Sequence, residues 1–148
     1  MATSRATVRS ALATLLDAAL VGSGKPAQAV YGYQVGDFAG QSPVVVVASG
    51  PMERTRRGFG PCWHSKATLL VYVFVAYAAA GGWTEEDAED ALDAIEAAIA
   101  DVVLANSSNA TWDGLTYEEP TEPDAIAIGG VEYRREVIRL RCEVVGDG

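Results

Sequence analysis

Histidine and cysteine are nearly missing from this chain, which has one His and two Cys in 148 residues. His64 stands alone, so no second imidazole is available for a metal or for shared acid–base work. Cys62 and Cys142 lie 80 positions apart with no CxxC spacing, and nothing marks a disulfide-built scaffold. Cys62 and His64 are two residues apart, too close in the chain for the separate positioning a nucleophile and its base require. Positive charge is missing over a longer stretch. No Lys or Arg occurs from residue 67 to residue 133, while that span holds 14 of the 20 acids. A net charge of −9 argues against a general nucleic-acid binder, whose affinity for phosphates comes from clustered Lys and Arg. Long apolar runs are also scarce. Ala67 to Trp83 is shorter than the about 20 residues a spanning helix needs, and Asp17 interrupts the N-terminal stretch where a signal peptide would be apolar. The expectation is a chain with no membrane segment, made and assembled in the cytoplasm.

Phosphate and calcium motifs fail in the same way. GSGKP at Gly22 to Pro26 follows a helical pattern instead of a strand and ends in Pro where a helix should begin. The carboxylates show no alternating calcium-loop pattern. Asn106-Ser-Ser and Asn109-Ala-Thr match glycosylation acceptors, which matter only in a secreted chain. The expectation is no catalytic, metal or cofactor site.

What is present is the material of one folded domain spanning residues 1–148. The chain is 49% hydrophobic and 21% charged, and at this length a domain buries roughly 70% of its extended surface. A first helix is expected from Ser4, its cap, to Val21, with Val8, Leu12, Leu15 and Leu20 on one stripe. Alternation predicts strands over Ala29–Phe38 and Pro43–Ala48. The segment GPMERTRRGFGPCWHSK, residues 50–66, reads as a long loop or flexible arm from its Gly, Pro and charge content. Thr68–Tyr77 has no polar face, so a central strand covered on both sides is expected, stopped by Gly81-Gly82. Thr84 and Asp87 form a capping-box variant opening a long helix to Ala105, with Ala88, Leu92, Ile95, Ile99, Val102 and Val103 on one stripe. A short segment at Thr116–Glu118, a strand at Ala125–Ile128 and a Gly129-Gly130 turn into a last strand, Tyr133–Val145, close the chain, with Ile138, Leu140, Cys142 and Val144 alternating with charged residues. The fold class is therefore α+β: a central, mostly antiparallel sheet with an N-terminal helix and one long acidic helix packed on it.

Two charged features stand out. Eight acids lie on the long helix with no Lys or Arg four residues away, Glu89, Asp93 and Glu96 among them. They form either a solvated face or a surface for a basic partner. Arg54, Arg56 and Arg57 stand beside Phe59 and Trp63, a mix of charge and aromatic anchors found in interface cores. Together with Arg135, Arg139 and Arg141 these residues make a candidate contact surface between copies, basic against acidic. In the bland alternative the two sets interleave in space and cancel.

The whole layout is similar to the tail terminator proteins of long-tailed bacteriophages and their close relatives at the head–tail joint. The likeness runs through the leading helix, AVYGYQV, PVVVV, RTRRGFG, ATLLVYVFVAY, TEEDAEDALDAIEAAI and VEYRREVIRLRCEV, in that order. The resemblance implies a structural virion protein of the tail or neck, without catalytic residues, that forms a hexamer-like ring of about six copies. Such a ring caps the tail tube protein and meets a head-completion or connector protein, while DNA passes through its lumen without specific binding. A head-closure protein is the nearer alternative; an α+β enzyme or small-molecule binder is the more distant one.

Overall fold

A computed structural model of the chain describes residues 2–56, 58–76 and 84–148. Helix α1, Arg5–Leu20, starts where the Ser4 side chain accepts the Thr7 N–H, and its buried stripe is Val8, Leu12, Leu16 and Leu20. A helical period of 3.6 places these four on a single side, so that Leu16 takes the place expected for Leu15, which is half-buried. Helix α2, Glu85–Ala105, begins with the full capping box: Thr84 accepts from the Asp87 N–H while the Asp87 carboxylate accepts from the Thr84 N–H. Its stripe of Ala88, Leu92, Ile95, Ile99 and Val103 is buried throughout.

Among the described residues, six strands form one sheet: β1 Ala29–Tyr31, β2 Val44–Arg56, β3 Trp63–Ala76, β4 Gly114–Tyr117, β5 Glu122–Ile128 and β6 Val131–Asp147. The order is β1-β2-β3-β6-β4, with β5 also paired to β6, and only the β1–β2 pair is parallel. Strand β3 is central, as its apolar composition demands. Gly129 and Gly130, at φ of 59° and 79°, make the β5–β6 turn in the left-handed region that two-residue hairpins favour. On one face Val45, Val47, Leu69, Val71, Val73, Val75, Ile138, Leu140 and Cys142 pack under α1 and α2 as the main core. Burial pushes the Cys142 thiol up to about 12, so at neutral pH it is a packing residue; Cys62 is exposed, and both are free.

The second face is covered unevenly. Phe38, Val44, Val46, Phe74, Ala76 and Tyr133 form a small cluster at one end, with Phe38 centred 5.0 Å from Phe74 and 5.4 Å from Tyr133. Farther along, Leu70 and Tyr72 are only half-buried. This corrects the expectation of a covering layer on each side: both helices lie on the same face.

The largest difference concerns residues 50–66. They are not a loop but mostly strand, the far half of a β2–β3 hairpin whose register pairs Met52 with Ala67, Arg54 with Ser65 and Arg56 with Trp63. Gly50 and Pro51 mark an irregularity in that register between Ser49 and Met52. A Cβ on Gly50 would sit 2.8 Å from the Thr68 carbonyl oxygen, so glycine permits the close approach of two strands there. Smaller differences follow the same logic. Strand β1 is shorter than the predicted Ala29–Phe38 because the chain leaves the sheet so that Phe38 can enter the second cluster. Strand β5 starts earlier than Ala125 and includes Pro123, whose missing N–H is tolerated at a sheet edge. Tyr77 and the predicted Gly81-Gly82 stop lie outside the described residues.

Candidate assembly surfaces

The hairpin gives its arginines different tasks. Arg54 is drawn inward: Nη1 donates to Asp147 Oδ2 at 2.8 Å and to Ser65 Oγ at 2.8 Å, and Nη2 donates to the Thr3 carbonyl at 2.6 Å. The Asp147 side chain is 2% exposed and also accepts from Ser65 Oγ and the Thr3 N–H. Burial works against ionisation, but the hydrogen bonds from Ser65, Thr3 and Arg54 outweigh it and hold the Asp147 carboxyl below its usual range. Arg54 thus ties β2, β3, β6 and the start of α1 together and is not a mobile surface cation. Arg56 remains exposed at the hairpin tip, donating to the Phe59 and Gly60 carbonyls and lying 6.0 Å over the Trp63 ring. Phe59 is fully exposed at 101% and Trp63 partly so at 37%. Arg57 lies outside the described residues.

On the half-open sheet face, Leu70, Tyr72 and Val137 form an apolar row across β3 and β6. Arg135 covers part of it, 5.7 Å over the Tyr72 ring. It donates through Nε and Nη2 to the two carboxylate oxygens of Asp124 at 2.9 and 2.6 Å. That fork geometry holds the Asp124 carboxyl below its usual range and raises the already high pKa of Arg135. Arg139 lies 3.7 Å from Glu119 and Arg141 lies 3.5 Å from Glu143. All three arginines therefore have carboxylate neighbours in their own chain. Tyr72 also packs against the edge of the second cluster, and all three residues of the row remain half-buried.

The acidic helix divides similarly. Glu89 bridges Arg134, and Glu96 accepts the Tyr117 hydroxyl at 3.0 Å. Burial, and then that bond, push the Tyr117 phenol well up. Beneath them Glu136, 8% exposed, lies on the helix side of β6 and accepts from Thr121 Oγ1. Burial raises its pKa, with Glu96, Asp93 and Glu89 adding to the rise and the Thr121 bond opposing it. Asp93 faces solvent with Glu85, Glu86, Asp90 and Asp101.

Interleaving within one chain is therefore what these charges largely do, and Arg54, Glu89 and Glu96 join internal contacts. Sequence reasoning missed a groove of about 690 Å³ between the last turns of α2 and the β4 edge, floored by Val103 and Leu115. Its outer lip is Leu104, 77% exposed. Leu104 adjoins the apolar stripe of α2 without belonging to it, and that was the available signal.

No family model matches the chain, and no curated protein matches it. Among solved structures, the chain is similar to one from the virion of a native gene transfer agent particle. The TM-score is 0.47 at 18% identity, covering 93% of this chain and 84% of that one.

Proposed function

We propose that this chain is a structural subunit that assembles into a head-to-tail ring, and that in a long-tailed phage particle such a ring caps the tail tube and joins it to the head-completion complex. One observation carries the assembly reading: the apolar row Leu70, Tyr72 and Val137 at the centre of the sheet stays half-buried, although Arg135 and the second cluster reach Tyr72. An all-apolar central strand is normally covered on both faces, and here a second polypeptide supplies the missing cover. A ring requires that contacts between copies join two unlike patches through a rotation that closes, and the sheet offers unlike edges for this, β1 at one side and β4 at the other. The placement in a tail follows the sequence resemblance and not the distant likeness to the gene transfer agent virion. An acidic subunit suits a lumen through which DNA passes without sticking.

The test is size measurement of the purified chain over a range of concentrations, with imaging by electron microscopy, alone and mixed with tail tubes. Rings that bind tube ends support the reading. Rings that bind a head connector but not tubes favour a head-closure protein. A chain that stays monomeric in every mixture refutes assembly.

A further inference from the structure

Two exposed apolar features on this chain are complementary and lie on different parts of its surface. The first is a knob. Phe59 stands at the tip of the β2–β3 hairpin, where Gly58 adopts a φ of 68°, and its side chain is fully exposed. The Arg56 guanidinium lies against the carbonyl oxygens of Phe59 and Gly60, so a cation accompanies the aromatic side chain. The second feature is a socket. The groove beside Leu104 has Ala100, Val103 and Leu115 as apolar lining, and its charged lining is two acids, Glu96 and Glu143, against Arg141. Asp101, one turn before Leu104, adds a further negative charge, and α2 has no basic residue in its last turn to offset the partial negative charge of its C-terminus. An aromatic side chain escorted by a cation fits this socket in both apolar character and charge.

We infer that Phe59 of one copy seats in the α2–β4 groove of the next, with Arg56 meeting the negative end of α2. The inference rests on the assembly reading above and adds which surfaces meet. Knob and socket are different patches, so the contact is heterologous: each copy offers one knob and one socket, and the chain of contacts ends only by closing. A buried aromatic anchor beside an arginine is the usual composition of the few residues that dominate such contacts.

The experiment is sedimentation velocity on the full chain, Phe59→Ala, Leu104→Lys and an equal mixture of the two variants. Both side chains are exposed, and a Lys near the C-terminus of α2 suits the helix dipole, so thermal midpoints should match the wild type. Each variant alone should associate at least about tenfold more weakly than wild type, as expected for loss of a dominant contact. The mixture should form one-to-one dimers and stop, because an intact Phe59 on the Leu104→Lys copy meets an intact socket on the Phe59→Ala copy. Wild-type assembly with both variants assembling equally well overturns the knob and socket while leaving the ring reading in place. That outcome also covers a groove that serves a small apolar ligand. A wild-type chain that is monomeric at all concentrations and with tail tubes overturns both.

Discussion

Replacing Arg54 by Ala should destabilise the fold, although the residue sits in a hairpin that looks like a surface arm in the sequence. The substitution removes three contacts at once, to Asp147, Ser65 and the Thr3 carbonyl. Asp147 remains behind with its side chain 2% exposed. Stripping one partner from a fully buried ion pair costs about 3–5 kcal/mol. Two features lower the figure here. Arg54 is 28% exposed, so water can enter its place, and Asp147 keeps its bonds from Ser65 and the Thr3 N–H. A cost of about 2–3 kcal/mol follows, or roughly 5–10 °C in the thermal midpoint of a chain this size. Urea denaturation measures it, with an unchanged slope showing that the same surface is exposed on unfolding. Asp147→Asn, alone and combined with Arg54→Ala, completes a double-mutant cycle with an expected coupling of at least about 1 kcal/mol. A loss below about 0.5 kcal/mol, the range of ordinary surface changes, or a coupling near zero refutes the assignment.

The same site fixes a pH dependence. The Asp147 carboxyl titrates lower in the folded chain than in the unfolded one. Its contribution is therefore present above the unfolded value, about 3.9, and disappears as pH falls through the depressed folded value. Arg54→Ala weakens the support for the charge, so the variant should lose less stability than wild type on acidification through that window.

Phe74→Ala removes a ring packed on Phe38, Tyr72 and Tyr133 and should cost about 3–5 kcal/mol by denaturant titration; a cost under 1 kcal/mol would show that the second cluster is not a true core. Gly50→Ala forces a methyl to 2.8 Å from the Thr68 carbonyl oxygen and should lower the thermal midpoint, whereas an unchanged midpoint would mean that the strands separate freely there. Glu136→Gln should raise the midpoint at neutral pH. A carboxyl whose folded pKa lies above its unfolded value favours the fold only at low pH and loses that contribution as pH rises through the folded value. The gain should shrink toward pH 4, and a lowered midpoint at pH 7 would contradict the buried-carboxylate account.

The elements that periodicity and capping govern were legible. The stripes of α1 and α2, the Thr84–Asp87 box, the Gly129-Gly130 turn and the alternation of β6 each rest on residues within a few positions of one another. What could not be read was anything set by register. Gly50-Pro51 carries the same letters whether it starts a loop or permits a bulge, and only the approach of the Thr68 carbonyl separates the two. Likewise Arg54 is a half-buried, internally bonded residue because the register of β2, β3 and β6 brings Ser65 and Asp147 to it from 11 and 93 positions away.

Charge is where sequence order misleads most, and the reason is geometric. An antiparallel hairpin folds one block of residues onto the next, so an acidic block followed by a basic block becomes a set of pairs. Across β5 and β6 this sets Asp124 opposite Arg135, and the chain just before β5 brings Glu119 to Arg139. The separation of signs along the chain is thus largely consumed inside the subunit. What remains is the outer side of α2, where Glu85, Glu86, Asp90, Asp93 and Asp101 have no cation within salt-bridge distance among the described residues. A reversal at Glu89 would break the chain's own bridge to Arg134 and confuse folding with assembly. Asp101 is the position at which a charge change probes contacts between copies, because it is exposed and forms no ion pair among the described residues, whereas Asp93 also acts on buried Glu136.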